Sequence, residues 1–117
     1  MASVLIVDDD PDIVTLFQEF LTLRGHTILG KASDGEEALE LLQSFESLPD
    51  VVFMDHRMPR MTGLEASKII FRMYPTCKII FISADQNVKS SALDAGAQAF
   101  LVKPISFTKI LALLDEI

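Results

Sequence analysis

The chain of 117 residues contains a single cysteine, Cys77, so no internal disulfide can staple it, in agreement with a reducing compartment. It also lacks any apolar run near the roughly 20 residues that a membrane-spanning helix requires. Its positive mean hydropathy of +0.35 therefore reflects buried elements, and no membrane insertion is expected. The first residues carry neither the basic nor the apolar stretch of a signal peptide, which makes a cytoplasmic location the expectation. Basic residues are few and scattered, ten Lys and Arg against seventeen Asp and Glu, for a formal net charge of −7. Such a surface repels duplex nucleic acid, so no direct nucleic-acid contact is expected. No linker, repeat or low-complexity stretch divides the chain. One domain over residues 1–117, with no output domain among them, is the expectation.

What the chain does have is alternation. Five short apolar segments rich in β-branched or aromatic residues fall at 3–7, 27–31, 51–54, 78–82 and 99–102. Between them lie residues at helical spacing: Ile13, Leu16, Phe17 and Phe20, then Ala38, Leu39, Leu41 and Leu42, then Leu64, Ala66, Ile69, Ile70 and Met73. A last helix is expected near 106–116. Asp10 and Pro11 suit the start of the first helix and Gly25 its end, Thr62 with Glu65 makes a capping box, and Gly96 closes the fourth helix. Continuous apolar strands in βα order predict a parallel sheet covered by helices on both faces, a doubly wound α/β sandwich.

In such a sheet, ligands bind outside the carboxyl ends of the strands. Asp8, Asp9 and Asp10 follow the first strand, Asp55 the third, Ser83 the fourth, and Lys103 ends the fifth. Several carboxylates brought together raise one another's pKa and cost stability unless a cation compensates them. Oxygen donors without clustered Cys or His point to a hard ion, Mg²⁺ with Mn²⁺ as its substitute. Asp9 and Asp55 are the expected direct ligands, Asp8 acts directly or through water, and the carbonyl of Arg57 adds another; Asp10 is left as a cap. A carboxylate beside a metal is a competent nucleophile toward phosphorus, with Lys103 and Ser83 placed to meet phosphoryl oxygens.

These residues carry a resemblance. The acidic cluster, Met54-Asp55-x-x-Met58-Pro59-x-Met61-x-Gly63, Ser83-Ala84 and Phe100-x-x-Lys103-Pro104 together resemble the receiver (CheY-like) domain of two-component response regulators, over essentially the whole chain. The resemblance implies a flavodoxin-like (βα)5 fold with strand order 2-1-3-4-5, a property of that family rather than a deduction from these residues. It implies Mg²⁺-dependent phosphorylation of Asp55 by a sensor histidine kinase or histidine phosphotransfer protein, and an unidentified downstream protein as reader. It implies Ser83 and Phe100 as the switch pair, Lys103 on the phosphoryl group, a cis Lys103-Pro104 bond, and a monomer or a phosphorylation-dependent dimer.

The chain departs from the family where Phe100 replaces a common tyrosine. His56 is expected to point away from Asp55 by strand alternation, as a bystander. Arg57 and Asp85, two residues past Asp55 and Ser83, could shield or orient an attacking water, or be solvated loop residues. Met54, Met58 and Met61 read as packing, and His26 as a surface residue. Taken singly, each site residue has an ordinary structural reading; four strand ends supplying the four required groups in order do not. A haloacid-dehalogenase-like phosphatase would want a second aspartate at Arg57. A flavin carrier would want a glycine-rich phosphate loop where the carboxylates stand. The expected function is a phosphoacceptor switch rather than an enzyme, with a degenerate receiver that only binds partners as the alternative.

Overall fold

The apolar runs at 3–7, 51–54 and 78–82 occupy the middle of a five-stranded sheet in the computed structural model, which describes residues 1–117. The elements are β1 (Ser3–Val7), α1 (Pro11–Leu23), β2 (Thr27–Ala32), α2 (Gly35–Ser44), β3 (Val51–Met54), α3 (Gly63–Met73), β4 (Lys78–Ser83), a 3-10 turn (Gln86–Val88), α4 (Lys89–Asp94), β5 (Ala99–Val102) and α5 (Phe107–Glu116). All neighbouring strands pair in parallel, in the order β2-β1-β3-β4-β5. This is the flavodoxin-like doubly wound fold.

Strand alternation divides the core in two. Val4, Ile6, Val51, Phe53, Ile80 and Ile82 face Phe17 and Leu21 of α1 and Ile110 and Leu114 of α5. Leu5, Val7, Val52, Met54, Ile79 and Phe81 face Ala38 and Leu42 of α2, Ala66 and Ile70 of α3, and Ala92 of α4. Burial on both sides explains why the central runs are unbroken by polar residues. The edge strands differ from expectation: β2 alternates exposed with partly covered residues up to Ala32, its one buried residue, and no residue of β5 is fully buried. Each has a neighbour on one side only.

Helix ends follow their local chemistry. The Asp10 carboxylate accepts the Asp12 N–H at the start of α1, and the Thr62–Glu65 capping box is complete. Gly25 and Gly96 take positive φ, 87° and 107°, just past α1 and α4. Two boundaries shift: β2 and β4 each run one residue further than expected, to Ala32 and Ser83, whereas β5 spans 99–102 as expected and leaves Lys103 just outside it. α4 is only six residues long and has no side-chain cap at Val88.

Candidate functional site

β1 and β3 lie side by side, so their carboxylates emerge together: the Asp55 N–H donates to the Val7 carbonyl at 2.9 Å, and the Asp8 N–H to Ala32 of β2 at 3.0 Å. Asp8 and Asp55 are buried, each 6 % exposed, while Asp9 is open to solvent. Carboxylate oxygens of Asp8, Asp9 and Asp55 fall within 4.8 Å of one another. Three hard oxygen donors at that spacing suit a small divalent cation, so the side chains fit Mg²⁺.

Lys103 comes from the far side of the site. Its Nζ lies 3.2 Å from Asp8 Oδ2 and 3.2 Å from Asp55 Oδ1. Burial pushes the Asp55 carboxyl above the ordinary carboxylate value, and the Asp8 charge adds to this; Lys103 and the His56 backbone N–H oppose them without cancelling. Burial alone would lower the Lys103 pKa, but the Asp55 and Asp8 carboxylates outweigh it and raise the ammonium above the usual lysine value. One ammonium thus partly neutralises two buried carboxylates, and the arrangement retains room for more positive charge.

Ser83 is buried at the end of β4, where its hydroxyl accepts the Asp85 N–H at 3.0 Å and is not bonded to Asp55. Phe100 pairs in register with Phe81, and their rings stack with centroids 5.7 Å apart and planes 14° from parallel. Phe100 is half-buried. The Lys103-Pro104 bond is cis. His56 follows the alternation and turns to the α3 face, its ring 5.9 Å from Phe81, with Nδ1 buried and unpartnered. Met58 and Met61 pack against the core, as Met54 does from within it. His26 is less exposed than expected, because its Nδ1 accepts the Ala2 N–H at 3.1 Å.

Two pairings were not legible in the sequence. Arg57 and Asp85 meet at 3.4 Å, bridging the loops that follow β3 and β4. Asp34, 1 % exposed, caps α2 by accepting the Glu37 N–H at 2.9 Å and also binds the Arg60 guanidinium. The Glu37 N–H first, and Arg60 next, hold its carboxyl below the ordinary carboxylate value. Asp34 with Glu37 three residues on is a cap signal that could have marked this carboxylate. Nothing local to Arg60 announces its partner.

The family model of the response regulator receiver domain matches residues 4–115. The chain belongs to the receiver domain family. This receiver domain is 36 % identical over 116 residues to the chemotaxis protein CheY of Thermotoga maritima, covering 97 % of this chain and 95 % of that protein. In structure it is similar to CheY in the CheX-CheY-BeF3-Mg²⁺ complex of Borrelia burgdorferi, with a TM-score of 0.91, 32 % identity, and coverage of 97 % of this chain and 87 % of that one. It is also similar to the response regulator TrrA of Thermotoga maritima in complex with Mg²⁺-BeF, with a TM-score of 0.88, 32 % identity, and coverage of 99 % and 98 %. Receiver domains are signalling domains of two-component systems rather than turnover enzymes. No helix of this one is long and apolar enough to cross a membrane.

Proposed function

We propose that this receiver domain is a phosphorylation-controlled switch that accepts a phosphoryl group on Asp55 from a phosphohistidine of a histidine kinase or phosphotransfer protein. One observation carries the reading: Asp55 shares a single ammonium, Lys103, with Asp8, beside Asp9. That leaves a nucleophilic carboxylate whose surroundings accept a cation and a phosphoryl group together. Asp8, Asp9, Asp55 and the carbonyl of Arg57 would hold Mg²⁺. When bound, the ion would neutralise charge on the transferring phosphoryl group and on the carboxylates around it.

The chain's own residues do the rest. An Asp55 oxygen attacks phosphorus and keeps the phosphoryl group, while the donor imidazole leaves with the bonding electron pair. Lys103 moves from a carboxylate oxygen to a phosphoryl oxygen, retaining its proton. Ser83 exchanges the Asp85 N–H for a phosphoryl oxygen, and the space it vacates lets Phe100 slide along Phe81 and pack inward. The surface of α4, β5 and α5 is then remodelled, and the short, uncapped α4 yields at low cost. A partner protein reads that surface. The CheX-CheY complex among the similar structures is one instance of a receiver domain held by another protein.

The switch is tested by amide chemical shifts with and without beryllofluoride and Mg²⁺. Shifts at Phe100 and through α4 and α5, far from the carboxylates, are expected. Shifts confined to residues around Asp8, Asp9 and Asp55 would reduce the domain to a metal site without a conformational output, the degenerate reading.

Arg57 is 81 % exposed and its ion pair with Asp85 bridges the loops that start at Asp55 and follow Ser83, a placement suited to restricting water at Asp55. Exposed pairs contribute about 1 kcal/mol or less, so Arg57→Ala is expected to speed loss of the phosphoryl group by no more than about fivefold. Decay of the phosphorylated protein followed by intact mass measures this. An unchanged or slower decay removes the shielding role.

A further inference from the structure

We propose that Arg60 is a positioning residue of the cation site: by clamping the loop after Asp55 to the start of α2, it holds the carbonyl of Arg57 where the ion needs it. The inference rests on the cation reading above. Arg60 has φ 63°, the one positive φ at a residue other than glycine, and the Met61 N–H reaches back to the Pro59 carbonyl at 2.7 Å across it. That is a three-residue γ-type turn, strained for an L side chain and stable only where its surroundings enforce it. Glycine would be the expected occupant of such a position.

The enforcement is visible. Arg60 Nε donates to Asp34 Oδ2 at 2.9 Å, a second guanidinium nitrogen binds the same oxygen, and Glu36 Oε2 stands 3.8 Å away. Beside this contact, Met61 lies so close to Gly35 that a Cβ on Gly35 would come within 2.9 Å of Met61 Cγ. At its base the same loop is closed by the Gly63 N–H on the His56 carbonyl at 2.9 Å. Arg57 sits between these two anchors.

The clamp also completes a ring. Asp8 bonds through its N–H to Ala32 at the end of β2, two residues before Asp34; Asp34 holds Arg60; the Arg60 loop returns to Asp55; and the Asp55 N–H bonds Val7, the residue before Asp8. The turn that carries Arg57 is thereby fixed relative to both buried carboxylates. Without Arg60, the turn loses the charge pair that ties it to the start of α2, and the loop is no longer fixed there.

The test separates positioning from folding. In the double variant Asp34→Asn/Arg60→Gly, asparagine still caps α2, no buried charge is orphaned, and glycine accepts the positive φ. Its metal-free unfolding midpoint is expected to stay within a few degrees of wild type. Its Mg²⁺ affinity by calorimetry should fall about tenfold, the range for residues that support a metal's ligands. Amide shifts on adding Mg²⁺ should weaken at Arg57 and Met58 and persist at Asp9 and Lys103. A double variant that binds Mg²⁺ as tightly as wild type, with the same shifts at Arg57 and Met58, overturns the proposal. If wild type itself binds no Mg²⁺, the cation reading fails and the role of Arg60 fails with it.

Discussion

Replacing Gly63 with alanine is expected to lower the unfolding midpoint by roughly 10 °C or more, the equivalent of about 3 kcal/mol for a domain of this size. A Cβ at Gly63 would lie 1.8 Å from the Asp55 carbonyl oxygen, 2.8 Å from the Asp55 carbonyl carbon and 2.9 Å from His56 Cα. All three are backbone atoms at the mouth of β3, so no rotamer change relieves the clash. The loop must move away, breaking the Gly63-to-His56 hydrogen bond, or the end of β3 must move and carry the Asp55 carboxylate with it. Either shift should also weaken Mg²⁺ binding. Gly30→Ala is the matched control. There the Cβ would meet the tip of the Phe45 ring at 3.0 Å, a side chain able to yield, and a loss of about 1 kcal/mol or less is expected. Thermal unfolding of the two variants side by side checks the contrast, and equal midpoints would mean that the Asp55–Gly63 approach is not tight in solution.

Asp55→Asn is expected to abolish phosphoryl uptake while making the metal-free protein more stable near neutral pH. The two effects have one cause. The folded-state pKa of Asp55 is raised above 3.8, first by burial and then by Asp8. The stability contributed by its protonated form is therefore fully present below the unfolded-state value and is lost as pH rises through the folded-state pKa. Ionised Asp55 is a net cost to the metal-free fold, and asparagine removes it. The advantage of the variant should shrink as pH falls toward 3.8. Lys103 belongs to the alkaline end: its raised pKa supplies stability that is complete below 10.5 and lost as pH rises through its folded-state value. Adding Mg²⁺ should reverse the order of stability. At a hundred times its Kd a ligand stabilises by about 2.7 kcal/mol, and wild type, with its full set of carboxylates, should gain far more than Asp55→Asn. A variant less stable than wild type without metal would show that Asp55 is compensated by more than Lys103.

The fold was legible because the strands and caps are local signals. Val51 to Met54 is apolar at every position, as a strand buried on both faces must be, and Thr62 with Glu65 marks the start of α3 unaided. The convergence of Asp8, Asp9, Asp55 and Lys103 followed from placing each at the carboxyl end of its strand, where a parallel sheet gathers them. What escaped depends on contacts between loops. Arg57 with Asp85 and Arg60 with Asp34 are paired across 28 and 26 positions of sequence, and no periodicity or spacing connects them. The engagement of Ser83 by the Asp85 N–H escaped for a related reason, since a serine at a strand end has several acceptable partners and the turn geometry selects one. The edge strands show the limit of composition: β2 and β5 are apolar enough to be strands, but only their position at the margin decides how much of them is covered.

Intact-mass measurement after incubation with a small phosphodonor, with and without Mg²⁺, tests most directly whether Asp55 is a metal-dependent phosphoacceptor. A single added phosphoryl group is expected in wild type, dependent on Mg²⁺ and absent from Asp55→Asn. No adduct in wild type with Mg²⁺ present, or an equal adduct in the variant, would contradict it.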